Sequence, residues 1–205
     1  MDAFPCGDEI GRISGRRITE IDAADAAGML VWQDFPLQWG YTDEPGFEAE
    51  ARRQALAMVA QLYNHPSIIV WSLHNEPPWD SAWMQYLYDD YQPAQNRALD
   101  AALLSAVRPA DPTRYIHAYS SSSEHPWYGW YSATWAKYLE PTKQSLVTEF
   151  GAQALPQLST LRQIISEAAL WPTSDRDWRI WEFHNFQRKE TFDIAKVPRG
   201  DNIEQ

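Results

Sequence analysis

The segment from Asn64 to Pro78 constrains this chain more than any other, because a long apolar run within it ends abruptly in polar residues. The apolar part, Ile68 to Leu73, contains one polar residue, Ser72. An apolar run of this length between turn residues is typical of a strand that is buried on both faces, as parallel strands in α/β proteins are. Proline ends such a strand, because it has no N–H to donate to a neighbouring strand. The sequence therefore predicts a buried parallel strand that stops shortly before two prolines.

Three polar residues, His74, Asn75 and Glu76, follow at the carboxyl end of this predicted strand. α/β barrels and open parallel sheets place their catalytic and binding groups at that end. A carboxylate in this position therefore indicates a functional site rather than a solvated surface.

A second glutamate occupies a similar position further along the chain. Residues Ser145 to Gly151 form a short apolar run that ends in Glu149 and a glycine break. We expect this run to be another buried strand, so that Glu76 and Glu149 converge on one substrate bond. Carboxyl groups about 5 to 5.5 Å apart would retain the configuration of a hydrolysed glycoside, whereas a separation of about 6.5 to 9.5 Å would invert it.

A family resemblance is carried by five segments and by their order and spacing. They are Gly28–Leu37, Asn64–Pro77, Asp111–Arg114, His125–Tyr131 and Thr148–Pro156. Together they resemble the catalytic barrel of glycoside hydrolase family 2, which includes β-mannosidases, β-galactosidases and β-glucuronidases. The resemblance covers residues 20 to 195, approximately.

The resemblance implies an α/β fold of the TIM-barrel type. The chain has 205 residues, whereas a complete (β/α)8 barrel usually takes roughly 250. We therefore expect a partial (β/α)8 TIM barrel, with roughly strands three to seven and their helices, over residues 18–195. An irregular segment at 1–17 and a polar tail at 196–205 would flank it.

Periodicity and turn residues predict the individual elements of this fold. The predicted strands, besides the two already described, are Met29–Trp32 and Tyr115–Tyr119. The predicted helices are Ile18–Ala27 with Gly28 after its end, Phe47–Tyr63, Ala94–Val107, Gln157–Ala169, and a Trp-rich helix from a cap at Ser174 and Asp177 through Phe186.

The resemblance also implies roles for the polar strand ends. Glu76 corresponds to the acid/base of the family, which must be protonated near neutral pH, and Glu149 corresponds to the nucleophile, which must be ionised. Asn75 resembles the residue that hydrogen-bonds the sugar 2-hydroxyl, and His74 is a weaker candidate for substrate binding. Such a bond would strengthen in the transition state and so contribute to rate.

Further sugar contacts are expected from three other positions. Trp127 and Tyr128 are candidates for the aromatic residue that lines the subsite beside the nucleophile, with the register open by one residue. Asp34 is a candidate for contacting a sugar hydroxyl, with fixing of the following loop as the alternative. The aromatic loop from Pro78 to Pro93 either walls a sugar site or packs against neighbouring domains.

Composition excludes several other classes of function. The net charge of −11 and the pI near 4.8 argue against nucleic acid or an anionic membrane as a partner. The single cysteine, Cys6, and five histidines without ligand spacing predict no metal site, and no phosphate or dinucleotide motif predicts a cofactor. No signal segment or apolar span is visible, so we expect a cytoplasmic protein.

The leading hypothesis is a retaining, exo-acting β-glycosidase that takes a carbohydrate substrate. A β-mannoside is slightly favoured, because Glu149–Gln153 and the spacing of His125, Trp127 and Trp130 resemble the β-mannosidase branch. The run Tyr128–Tyr131 is also similar to the β-glucuronidase and β-galactosidase branches.

Two alternatives remain open at this stage. Because strands one, two and eight are not identified, the chain could be a non-catalytic fragment, or a subunit completed by further domains or a complementing chain. A sugar-binding module without hydrolysis is a more distant alternative, since binding alone does not require two glutamates at strand ends.

Overall fold

The computed structural model describes residues 20–81, 92, 94–121 and 123–204. The irregular segment predicted at 1–17 lies outside the described residues, as does most of the aromatic loop, at 82–91 and 93. In the part of the chain that is described, no helix combines the length and the apolar character that crossing a bilayer requires.

The described elements are three strands and five α-helices, with shorter helical turns between them. The strands are β1 (Val31–Asp34), β2 (Ile68–Ser72) and β3 (Tyr115–His117). The α-helices are α1 (20–27), α2 (Pro45–Leu62), α3 (Arg97–Ala110), α4 (Leu158–Ile164) and α5 (Asp175–Phe183). The shorter turns are the 3₁₀ segments Trp135–Leu139 and Glu167–Ala169 and the π-helical turn Glu190–Ile194.

The chain divides into two compact units, 1–122 and 123–205, each with a hydrophobic core of its own. The first unit holds the strands and α1 to α3, and Trp71 and Leu103 are fully buried in its core. Helices α4 and α5 belong to the second unit, whose core contains Leu161, Trp178 and Trp181.

The strands of the first unit form a parallel sheet in the order β1-β2-β3. Trp71 of β2 pairs with Gln33 of β1 on one side and with Ile116 of β3 on the other. A helix lies between each pair of successive strands in the sequence, which is the arrangement of consecutive β/α units in a barrel. The predicted α/β class and the predicted parallel strand before Glu76 are therefore confirmed, and this strand lies at the centre of the described sheet.

Helices α2 and α3 cover the sheet with the apolar stripes that the sequence predicts. The buried residues of α2, namely Ala51, Ala55, Val59 and Leu62, recur at helical spacing. α3 buries Leu99, Leu103 and Val107 in the same core. Both helices are displaced slightly from the predicted bounds, as helix ends commonly are.

The end of α1 follows the predicted glycine signal. Gly28 has a φ of +67°, in the left-handed region that glycine adopts without steric cost. The next amide, Met29 N, donates to the carbonyl of Ala24 at 2.9 Å, so the helix ends in a closed turn.

Two predictions about the first-unit strands are corrected. β1 begins at Val31 rather than Met29, because the Met29 amide lies in the turn that closes α1, and the side chains of Met29 and Leu30 are exposed. β2 is buried except at Ile69, which is 42% exposed. Ile69 projects from the same face as Trp71, which lies further along the strand and is fully buried.

The predicted strand Ser145–Gly151 is not found, because the described residues of the second unit contain no regular strand. Leu146 and Val147 are each 37% exposed, so the apolar run is not buried. A strand requires a paired neighbour, whereas the amides of Thr148 and Glu149 both approach one carbonyl, that of Glu124. Without hydrogen bonds to a neighbouring strand, this segment adopts a loop conformation.

The helices of the second unit agree in part with the prediction. The single predicted helix Gln157–Ala169 is divided, because α4 ends at Ile164 and Ile165 and Ser166 are extended before the next turn. The predicted cap of α5 is confirmed as a capping box between Ser174 and Asp177, although the helix ends at Phe183.

Candidate active site

Glu76 lies just beyond the carboxyl end of β2 and is buried, with 8% of its surface exposed. Its amide donates to the carbonyl of Ser120 at 2.9 Å, and its Oε2 accepts a hydrogen bond from Trp39 Nε1 at 3.0 Å. A φ of +51° places its backbone in the left-handed region. The chain beyond the strand therefore holds this carboxylate in one defined place at the edge where α/β barrels carry their chemistry.

Asn75 extends the sheet beyond the last regular strand residue. It forms parallel bridges with Gln38 on one side and with Ser120 on the other. Its side-chain oxygen accepts from the Ser120 hydroxyl at 3.0 Å, and the residue is half-buried. The amide group is thus oriented at the same edge as Glu76.

His74 is completely buried, and both of its ring nitrogens have partners. Nδ1 lies 2.5 Å from Asp100 Oδ1, and Nε2 lies 2.8 Å from the carbonyl oxygen of Trp39. Since a carbonyl oxygen only accepts, Nε2 carries a proton. In this structure His74 faces protein groups on both sides.

Asp34 is the last residue of β1 and is exposed. Its Oδ1 accepts from Trp32 Nε1 at 3.1 Å, within its own strand. That contact lies within β1 and not in the loop that follows, so the sugar contact and the fixing of that loop both stay predictions.

Glu149, in the second unit, is partly exposed, with 36% of its side chain accessible. Its Oε2 lies 3.6 Å from Nδ1 of His125, whose other ring nitrogen lies 3.0 Å from the Thr148 hydroxyl. His125 is buried, so the imidazole is a fixed neighbour of the carboxylate. The loop after Glu149 is fixed by the Tyr138 hydroxyl, which accepts from Gly151 N at 2.9 Å.

Trp127 and Tyr128 are both half-buried in the second unit. The Trp127 ring lies against Gly151, where an added Cβ would lie 3.6 Å from the ring, and φ of Gly151 is +146°. Tyr128 instead packs on Tyr138, with ring centroids 5.0 Å apart. Trp127 is therefore the candidate whose ring lies beside the loop that carries Glu149.

Two residues of this region, Trp39 and Asp100, were not predicted from the sequence. Trp39 lies in the loop after β1, and nothing local in the sequence relates it to a carboxylate 37 positions away. Asp100 follows Leu99 of the apolar stripe of α3 and is only 3% exposed. A carboxylate beside an apolar stripe was the one signal that could have identified it.

Comparison with known proteins assigns the family. Residues 16–191, which are most of the chain, match the family described as "Glycosyl hydrolases family 2, TIM barrel domain". The chain belongs to glycosyl hydrolase family 2. Its fold is accordingly α/β, and it forms part of a TIM barrel.

Two related proteins show how much of a family 2 protein this chain covers. It is 28% identical over 190 residues to a protein named beta-mannosidase B from Neosartorya fischeri, covering 80% of this chain and 22% of the relative. It is 31% identical over 186 residues to a mouse protein named beta-mannosidase, covering 76% of this chain and 21% of the relative. The chain thus spans about a fifth of the length of these curated relatives.

A solved structure supports the same fold. The beta-D-mannosidase of Dictyoglomus thermophilum superimposes with a TM-score of 0.66 at 24% identity, covering 90% of this chain and 24% of that chain. The partial TIM-barrel fold expected from the family resemblance is therefore confirmed, and its described regular strands all lie in the first unit.

Proposed function

We propose that this chain supplies the acid/base and the nucleophile of a retaining, exo-acting β-glycosidase, with terminal β-mannosides as the favoured substrates. The family match carries the proposal, because it covers both Glu76 and Glu149. The buried position of Glu76 at the carboxyl edge of the parallel sheet supports its role. The preference for mannose is supported by relatives that are named β-mannosidases.

In the first step the Glu149 carboxylate attacks the anomeric carbon and forms a covalent glycosyl ester. The bond from that carbon to the glycosidic oxygen breaks, and Glu76 gives its proton to the departing oxygen. In the second step water attacks the anomeric carbon, Glu76 takes the proton from that water, and the Glu149 carboxylate is released. The two inversions give net retention of configuration.

The neighbouring groups fit these roles. Trp39 Nε1 donates to Glu76 Oε2, which orients the carboxyl group that exchanges a proton with the substrate. Asn75 offers an amide at the same edge, suited to the sugar 2-hydroxyl in the transition state. Thr148 orients His125 beside Glu149, so the nucleophile has a fixed polar neighbour.

The proposal is tested by labelling with 2-deoxy-2-fluoro glycosides that carry a dinitrophenolate leaving group, in the manno, galacto and glucurono series. We expect the manno reagent to label Glu149 fastest, because the fluorine slows release of the covalent ester. Peptide mass spectrometry locates the label, and Glu149→Gln, which keeps the side-chain shape, should remain unlabelled. A label on another residue would contradict the assigned nucleophile, and a faster galacto or glucurono reaction would replace mannose as the substrate.

A second possibility is that the chain acts only when another polypeptide completes the barrel. This possibility is supported by the span of the relatives, of which the chain covers about a fifth. Turnover of nitrophenyl β-mannoside by the purified chain would contradict it. Turnover that requires addition of the remaining part of a family 2 protein would support it instead.

A further inference from the structure

The acid/base candidate has a backbone conformation that residues other than glycine rarely adopt. Glu76 has a φ of +51°, and Trp39, whose indole contacts it, has a φ of +68°. Both values are strained for residues with a Cβ, and such strain persists only where surrounding contacts overdetermine it. The contacts that fix Trp39 therefore decide where the Glu76 carboxylate lies.

Both backbone polar groups of Trp39, its amide and its carbonyl, form hydrogen bonds with the two residues that precede Glu76. Its amide donates to the carbonyl of Asn75 at 2.9 Å, and its own carbonyl accepts from His74 Nε2 at 2.8 Å. The indole Nε1 then donates to Glu76 Oε2 at 3.0 Å. His74 is thus one bond away from the residue that orients the carboxylate.

His74 in turn is oriented by Asp100 of α3. Nδ1 lies 2.5 Å from Asp100 Oδ1, within hydrogen-bond distance, and Nε2 donates to the Trp39 carbonyl. The remaining oxygen, Oδ2, accepts from Trp79 Nε1 at 2.7 Å. Both carboxylate oxygens are used, and both lie in the buried region under the carboxyl edge of the sheet.

The fold by itself does not require a carboxylate at this position. Asp100 lies between Leu99 and Leu103, which pack in the first-unit core. Replacing a buried ionic pair by apolar residues of similar volume is often neutral or stabilising, so stability alone does not explain the pair. The chain of hydrogen bonds that ends at Glu76 does explain it.

We propose that Asp100 is a positioning residue for Glu76, acting through His74 and Trp39. Asp100 fixes the tautomer and the orientation of His74, His74 fixes the Trp39 carbonyl, and the Trp39 indole then fixes one carboxylate oxygen of Glu76. The inference rests on the proposed function for the role of Glu76, whereas the chain of contacts is testable without any activity.

The contacts are tested by ¹H–¹⁵N spectra of the tryptophan indole N–H groups in the full chain. Trp39→Phe assigns the Trp39 resonance, and Glu76→Ala gives its position when the acceptor is lost. In Asp100→Ala we expect that resonance to move toward the Glu76→Ala position, with indole exchange about tenfold faster or more, since the donor is released. Asp100→Asn should stay close to the wild type, because its amide can donate to Nδ1 and accept from Trp79.

Trp71 supplies the internal control for folding. Its indole donates to Asp111 at 2.8 Å in the same core, outside the Asp100 contacts, and should not move. If Asp100→Ala disturbs Trp71, the double variant His74→Phe with Asp100→Leu replaces the buried pair by apolar side chains and decides the matter. An unmoved Trp39 resonance in a folded variant overturns the proposal.

A kinetic measurement separates positioning from general structural damage. Asp100→Ala should lower kcat/KM about tenfold or more for an alkyl β-mannoside, whose leaving group needs the proton of Glu76. It should change the value for the dinitrophenyl β-mannoside, which leaves unprotonated, by less than about twofold. Equal losses for both substrates overturn the positioning role. A wild type that hydrolyses neither substrate, even after the remaining part of a family 2 protein is added, overturns the proposed function instead, and the indole spectra still decide the contacts.

Discussion

At the scale of single residues, Asp111 is a fully buried carboxylate outside the candidate site. It accepts from Trp71 Nε1 at 2.8 Å, from Arg114 Nη1 at 2.7 Å, and from the amide and hydroxyl of Thr113. Burial by itself raises the pKa of Asp111, but the hydrogen bonds from Thr113, Trp71 and Arg114 outweigh it and hold that pKa well below its ordinary value of 3.8. This segment is therefore a structural anchor beneath β2.

We predict that Asp111→Asn lowers the free energy of unfolding by about 3 kcal/mol at pH 7, because it leaves donors without a charged acceptor. A carboxylate whose pKa is depressed in the folded state contributes stability above its unfolded value. That contribution is lost as the pH falls through the folded value. The difference in the free energy of unfolding between wild type and variant should therefore become smaller below about pH 4.

Urea unfolding followed by circular dichroism between pH 7 and pH 3 measures this difference. Glu167→Gln, at an exposed ion pair with Arg162, is the control and should change little. A gap that is constant across this range would show that folding does not lower the pKa of Asp111.

At the scale of elements, helix ends follow local chemistry while strand formation depends on neighbours. Gly28 ends α1 with a positive φ, and Ser174 begins α5 with a capping box. Both devices are complete within a few residues, so both are visible in the sequence. The run Leu146–Val147 has the composition of a strand but lies exposed without a ladder, because pairing partners are supplied only by tertiary structure.

Two glycine substitutions should have opposite effects on stability. Neither Gly28 nor Gly46 has an atom within 4 Å of a Cβ built on it, so no clash arises in either case. Gly28→Ala should destabilise by about 1 kcal/mol, because its φ of +67° is strained for alanine. Gly46→Ala, within α2, should stabilise by about 0.5 kcal/mol, because alanine loses less backbone entropy in a helix.

Thermal unfolding of the two variants beside the wild type measures both effects. Destabilisation by both substitutions would indicate that steric crowding rather than backbone conformation dominates at these positions.

At the scale of the whole molecule, charge and exposed apolar surface act in opposite directions. The net charge is −11, and large apolar side chains such as Leu139, Phe150 and Phe183 are more than half exposed. Electrostatic repulsion between copies keeps such a chain dispersed near neutral pH. Apolar contacts between copies would prevail where the charge is neutralised.

We predict a minimum of solubility near the pI of about 4.8. Because Asp111 retains its stabilising charge at that pH, the precipitate should redissolve at pH 7 with its native circular dichroism spectrum. Light scattering against pH measures the minimum, and 1 M sodium chloride at pH 7 should also promote association by screening the charge. Scattering that stays flat through pH 4.8 would show that the exposed apolar side chains do not associate.

The sequence by itself determined the α/β class, the parallel strand β2 and the position of Glu76 at its carboxyl end. The strand and its end depend on the apolar run before Glu76 and the prolines after it, which are local, and the class depends on the motifs that carry the family resemblance. The apolar stripes of α2 and α3 were likewise readable from periodicity, as was the glycine end of α1.

Only the tertiary structure decided which groups surround these residues. Trp39 reaches Glu76 and Asp100 reaches His74 across long separations in sequence, because parallel strands and their covering helix bring one edge together. The loop conformation before Glu149 was decided in the same way, since an apolar run becomes a strand only where a neighbour offers it hydrogen bonds. Local composition sets what a segment can become, and long-range pairing and burial select the outcome.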